Sequence, residues 1–159
     1  MKPRQIASYA LFAAFAAAFF MFARSPATSA DAAYDGRPEV VAATFSSSWC
    51  SACKILKPKL AKVIPGFAKE PVAFVDFDFT FGPRKELRAE ADKFAIGDLY
   101  ERNKGATGFT LLVDADTGEV IDTLTMNFSE AAMRSAIARA IAIASHTDQP
   151  PAAAADAGI

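Results

Sequence analysis

The sequence predicts an α/β fold in three layers, a central mixed β-sheet with helices packed on both faces. Three observations predict it. Four short stretches, over about 40–46, 71–79, 109–114 and 119–125, are β-rich apolar runs or alternate apolar with polar residues. Stretches with the 3.6-residue apolar period fall between or after them, over about 51–64, 84–94 and from 129 onward. The resulting order is β-α-β-α-β-β-α. A helical crossover favours parallel neighbours and a tight turn joins antiparallel ones, so the sheet is mixed.

Each element has its own justification. Residues 40–46 (Val-Val-Ala-Ala-Thr-Phe-Ser) are apolar almost throughout, as a central strand buried on both faces would be. Leu56, Leu60, Val63 and Ile64 line one face of the first helix, which carries Pro58 and stops at Pro65-Gly66. Lys54, Lys57, Lys59 and Lys62 read as its solvated face. The second strand ends near Asp76 and Asp78, and Gly82-Pro83 opens a helix with Leu87, Ala91 and Phe94 inward. Gly97 is expected to break that helix, with a short helical turn through Leu99 and Tyr100. The turn Asp116-Thr117-Gly118 links the last two strands, and Ser129 caps a final helix bearing Met133, Ile137, Ile141 and Ala144. No internal repeat is present. The folded domain is placed at 38–146, after a linker over 31–37 and before a Pro- and Ala-rich tail over 147–159 that reads as disordered.

The chain has 159 residues and is 52% apolar, enough for one domain with a core. Its first 30 residues stand apart. A basic start (Lys2, Arg4) precedes an uncharged Ala- and Phe-rich run over 6–23, then Arg24 and small residues ending Thr28-Ser29-Ala30. This is the layout of a secretory signal peptide cleaved before Asp31, although the apolar run is also long enough for an uncleaved membrane anchor. Either way the basic flank places the domain outside the cytoplasm, in the periplasm or an equivalent compartment. Beyond this segment the chain is acidic and its charges are scattered, which excludes the basic face a nucleic-acid partner requires.

The chemistry gathers at Ser48-Trp49-Cys50-Ser51-Ala52-Cys53-Lys54, where the first strand ends and the first helix begins. Two cysteines are too few for a disulfide scaffold, so the pair reads as redox-active or metal-binding. The first turn of a helix carries unpaired N–H groups and partial positive charge. A Cys50 thiolate would be stabilised there, and Cys53, one turn on, could attack a mixed disulfide formed by Cys50. Two buried structural cysteines are the bland alternative. A closed zinc site would need four ligands, and the chain offers two Cys and a distant His146, so no metal residue is assigned. A site shared between chains, or transient Cu(I) on the thiolates, stays open.

Trp-Cys-x-x-Cys-Lys at a strand-to-helix junction resembles the active site of the thioredoxin superfamily, and Pro58 falls where that family carries a helix-kinking proline. The similarity runs over about 40–144. It implies a thioredoxin-like three-layer sandwich and a thiol–disulfide oxidoreductase, with Cys50 and Cys53 as the catalytic redox pair. It further implies no organic cofactor, protein disulfides as substrates, a dithiol protein as electron donor, and a monomer with a membrane tether if the N-terminal segment is retained. Ser51-Ala52 between the cysteines is similar to periplasmic reductase domains rather than to the Gly-Pro of cytosolic thioredoxins. Trp49, Gly108 and Phe109 are the substrate-binding candidates. Three positions depart from the family. Thr44 replaces its buried carboxylate, Phe74 aligns with the lysine that partners it, and Phe109 stands in place of its cis-proline. Proton transfer at Cys53 would then need water or another group. A trans Gly108–Phe109 bond is expected, with the Phe109 ring as an apolar lid over the cysteines. The alternative from another class is a thioredoxin-fold module that binds a metal or a protein without catalysis.

Overall fold

The computed structural model describes residues 36–147. The segment expected as a signal peptide or anchor over 1–30, most of the expected linker and all but the first residue of the expected tail lie outside the described residues. The elements are β1 (Val40–Ser46), α1 (Ser51–Val63) followed by a 3-10 turn (Ile64–Phe67), β2 (Val72–Asp78), α2 (Lys85–Lys93), α3 (Gly97–Asn103), β3 (Phe109–Asp114), β4 (Val120–Thr125) and α4 (Glu130–Thr147). The strand order is β2-β1-β3-β4. β1 runs parallel to β2 and antiparallel to β3, and β3 is antiparallel to β4. This is the three-layer α/β sandwich expected from the order of elements. Among the described residues no helix is long and apolar enough to cross a membrane.

β1 is central because both of its faces are buried, as its unbroken apolar run requires. Its even-numbered residues, Val40 and Ala42, join Leu56, Leu60, Leu112, Met133 and Ile137 in the core beneath α1 and α4. Its odd-numbered residues, Val41, Ala43 and Phe45, join Phe77, Leu87, Leu99, Tyr100 and Val113 in a second core beneath α2 and α3. The period of two along one strand thus divides the molecule into two cores.

Three expectations need correction. The break after α2 falls at Ala95, which takes the left-handed backbone (φ 56°), and not at Gly97, which is the first residue of α3. The short turn expected around Tyr100 is a helix of seven residues, held by the burial of Leu99 and Tyr100. In β4 the simple alternation fails. A register shift opposite Leu112 and Val113 bulges the strand, so that Ile121 and Leu124 both pack on the core of α1 and α4. At the far end of the chain α4 takes in Thr147, the first residue of the expected tail. Ser129 caps α4 as expected, its Oγ accepting the Ala132 N–H at 3.1 Å.

Candidate active site

β1 delivers the chain to the top of the sheet, and the loop after Ser46 turns it into α1. Ser47 helps shape the turn, its carbonyl accepting the Cys50 N–H at 3.3 Å. Cys50 is the N-cap of α1 with extended backbone (φ −73°, ψ 114°), and its Sγ accepts the Cys53 N–H at 3.1 Å. A helix N-cap normally uses an oxygen for this bond. Here sulfur takes the place, so the end of the helix that favours negative charge is aimed at Cys50. No acidic residue lies in the first turn to oppose it. Cys50 and Cys53 are joined in a disulfide with Cα atoms 5.2 Å apart. Cys50 is the more open of the two, at 9% exposure against 2% for Cys53.

Gly108 lies against the pair from the opposite side. Its N–H donates to the Phe45 carbonyl at 2.8 Å, and the same carbonyl lies 4.0 Å from Cys53 Sγ. Gly108 has φ 106°, and a Cβ added there would sit 3.1 Å from the Ala52 Cβ and 3.5 Å from Cys50 Sγ. Glycine therefore meets two demands at one point, a left-handed backbone and contact with the disulfide. Trp49 is 62% exposed beside the pair, so ordinary core packing does not explain it.

The described peptide bonds are all trans, Gly108–Phe109 among them, as expected. The Phe109 ring is not a lid. It stacks on Phe45 at 5.1 Å between centroids and packs on the core beneath α2 and α3, across the sheet from α1. The alternation of β3 sends it there, because Phe109 pairs with Phe45 and shares its face.

Beneath the cysteines the two positions without charge behave differently. Thr44 is buried and its Oγ lies 2.8 Å from Thr110 Oγ across β1 and β3. Phe74 is partly buried against the core of α1, its ring tilted against that of Phe67. The β2 residue opposite Thr44 is not Phe74 but Asp76. Asp76 accepts from Ser46 Oγ at 2.6 Å and from Lys57 Nζ at 2.6 Å. The α1 lysines line the solvated face expected of them, Lys54, Lys57 and Lys62 being exposed and Lys59 half-buried, and three of them also find partners there. Lys57 binds Asp76, Lys59 donates to the carbonyls of Met126 and Phe128, and Lys62 pairs with Glu130. The Ser46–Asp76–Lys57 cluster was missed in the sequence. Its available signals were an acid inside an otherwise apolar strand and a lysine four residues after Cys53.

Next to this cluster, burial pushes the Asp78 carboxyl up. Hydrogen bonds from the Thr80 hydroxyl and N–H, with Lys57 and Arg84 nearby, outweigh burial and hold it below its ordinary 3.8. His146 is exposed in the last turn of α4. Among the described residues no three His, Cys, Asp or Glu gather where they could hold a metal ion.

No family model matches the chain, and no curated protein matches it. Solved structures do. A thioredoxin of Malassezia sympodialis is 21% identical, with 68% of this chain and 80% of that one covered and a TM-score of 0.44. StoA from Bacillus subtilis is 17% identical, with 64% and 84% covered and a TM-score of 0.45. A thiol:disulfide interchange protein of the thioredoxin family from Chlorobium tepidum is 18% identical, with 65% and 80% covered and a TM-score of 0.44. Two of the three are described as a thioredoxin and as a thioredoxin family protein. At such low similarity, the chain's own topology and its dithiol carry the functional reading.

Proposed function

We propose that this chain is a thiol–disulfide oxidoreductase that works outside the cytoplasm and reduces disulfides in proteins. The observation that carries the reading is Cys50 as the sulfur N-cap of α1, disulfide-bonded to a more deeply buried Cys53. A thiolate at that position is favoured by the helix end and by the Cys53 N–H, and lower thiol pKa makes more of the attacking species. In the reduced protein the Cys50 thiolate attacks a substrate disulfide, and one substrate sulfur leaves as thiolate. Cys53 then attacks Cys50, closing the internal disulfide and releasing the second substrate sulfur. Trp49, exposed next to Cys50 in the chain, and Gly108, whose backbone lies against Cys50, would seat the substrate together with the backbone of Phe109, the residue after Gly108. A dithiol protein returns the pair to its reduced form. Export rests on the basic-apolar-small pattern of the first 30 residues.

The test is reduction of insulin disulfides by the wild-type chain, Cys50→Ser and Cys53→Ser. The wild type should turn over with a dithiol donor. Cys53→Ser should accumulate mixed disulfides, and Cys50→Ser should trap few. Limiting alkylation at mildly acidic pH should label Cys50 first. An inert wild-type protein that instead binds a metal stoichiometrically through the two thiolates would replace this reading with a binding module. A disulfide-requiring reporter fused after Ala30 should be active outside the cytoplasm, and a soluble cytosolic product would sink the localisation.

A further inference from the structure

Large apolar side chains at a protein surface carry information only where they gather, since scattered ones are normal. Among the described residues Phe81 is the most exposed of them, at 82%, and Trp49 follows at 62%. The two stand on neighbouring loops at the dithiol end of the sheet. Ser48, the residue before Trp49, donates its N–H to the Oγ of Thr80, the residue before Phe81, at 2.9 Å. That bond and the short stretches of chain around it keep the Cα atoms of Phe81 and Cys50 within about 18 Å, a span of about five residues of extended polypeptide. The loop that carries Phe81 is tied down on both sides. The Phe79 N–H donates to the Ser46 carbonyl at 2.8 Å, and the Gly82 N–H closes the turn on the Phe79 carbonyl at 2.8 Å. Asp78 accepts from the N–H of Thr80 at 2.8 Å and from its hydroxyl. All of these bonds run through the backbone or through Ser46, Asp78, Thr80 and their neighbours. None of them uses the side chain at 81, so the turn itself has no need of a phenylalanine held out in water.

We propose that Phe81 is a specificity-determining residue, which takes an aromatic or aliphatic side chain of a polypeptide substrate lying within about five residues of that substrate's reactive cysteine. The inference rests on the oxidoreductase reading above and narrows its substrates. The occupant is a polypeptide because Phe81 and Trp49 stand on loops bonded to each other next to the reactive sulfur. A chain that delivers its disulfide to Cys50 extends over the surface around it, whereas a small disulfide has nothing that reaches Phe81. Covering the exposed ring with an apolar side chain removes surface from water on both partners, and that gain is available only to a substrate with such a side chain in reach. In a finished fold the apolar neighbours of a disulfide are mostly buried. The substrates are therefore disulfides in chain segments that still expose their apolar residues.

The test uses the full chain, reduced, and three mixed disulfides that share thionitrobenzoate as a coloured leaving group. One is a peptide with a single cysteine and a phenylalanine in reach of it, one is the same peptide with serine for that phenylalanine, and one is mercaptoethanol. In each, the Cys50 thiolate bonds to the peptide or mercaptoethanol sulfur, the old sulfur–sulfur bond breaks, and thionitrobenzoate leaves with the electron pair. The wild type should react with the apolar peptide about tenfold faster than with the serine peptide. Phe81→Ser should remove most of that preference, Phe81→Leu should keep most of it, and both should react with the mercaptoethanol disulfide as the wild type does. The loss should lie in the half-saturating peptide concentration and not in the limiting rate. Equal wild-type rates on the two peptides, or a preference unchanged in Phe81→Ser, would overturn the proposal while leaving the exchange in place. Slowing of all three disulfides by one factor would overturn it too, as an effect on the dithiol itself. So would self-association of the wild-type chain that Phe81→Ser abolishes, with no preference among peptides. A wild-type protein that reacts with none of the three would overturn the exchange reading, and this one with it.

Discussion

At Gly108 one missing atom decides whether the site can close. The residue has φ 106°, and any Cβ would press on Ala52 at 3.1 Å while touching Cys50 Sγ at 3.5 Å. Gly108→Ala should therefore cost about 1–3 kcal/mol of stability and slow alkylation of reduced Cys50. Denaturant unfolding and a labelling time course check the two effects, and a wild-type result in both would contradict the packing described. Tyr100 shows the opposite case. Its ring is buried, meets Phe77 edge-on and stacks on Phe79, but its hydroxyl has no hydrogen-bond partner among the described residues. Burial also pushes its ionisation upward. Tyr100→Phe keeps the ring contacts and removes a desolvated hydroxyl, so the melting temperature should hold or rise. A loss above about 1 kcal/mol would reveal a partner for the hydroxyl. Neither residue could be read this way from the sequence. Gly108 and Tyr100 are distant from each partner along the chain, and a lone Gly or Tyr carries no sign of what will face it.

At the scale of elements, β1 and β3 share the Thr44–Thr110 pair, 2.8 Å apart at the centre of the sheet. Thr44→Val removes one hydroxyl and leaves Thr110, fully buried, without it. That single change should cost about 1–3 kcal/mol. The double change to Val at 44 and 110 removes both polar groups and should restore much of the loss, because two apolar side chains of similar shape leave nothing unsatisfied. A double-mutant cycle measures the coupling, and additive losses would refute it. Element existence was legible here. β1 and β3 appear at their expected bounds because their apolar runs are unbroken. The β4 bulge was not legible, since an extra residue in one strand is defined only by the strand beside it. The partners of the α1 lysines were not legible for a related reason. A helix period marks which side faces out, but their partners come from β2, from the segment after β4 and from the start of α4.

Across the whole molecule, the response to acid follows from carboxyls held below their ordinary range. Asp78 is lowered despite burial, by Thr80 first and then by Lys57 and Arg84. Glu101 is lowered by hydrogen bonds from Arg88 and Lys104, and Glu130 by Lys62. A folded-state value below the unfolded one means that the unfolded chain binds more protons as acid is added. The stabilisation is complete above the unfolded value and is lost as pH falls through the folded one. The melting temperature should therefore be flat from neutral pH down to about 5 and fall below about 4. Asp78→Asn should lower stability at neutral pH and flatten the acid limb. Exposed Glu101 and Glu130 should contribute little, since solvent and salt screen them. An acid limb unchanged in Asp78→Asn would remove Asp78 from the account.

The sequence by itself determined the fold class, the order of strands and helices, and the placement of Cys50 at the start of a helix. These follow from local rules: apolar period, turn residues and the spacing of two cysteines along one chain. The tertiary structure alone decided what stands around the dithiol. It put the backbone of Gly108 against Cys50 and sent the Phe109 ring to the other face of the sheet. It also set Asp76 opposite Thr44, within reach of Ser46 and Lys57. The physical reason is register. A shift of one residue between β1 and β2 would have turned Asp76 to the opposite face of the sheet. Nothing within either strand encodes that choice, because it depends on how both cores pack at once.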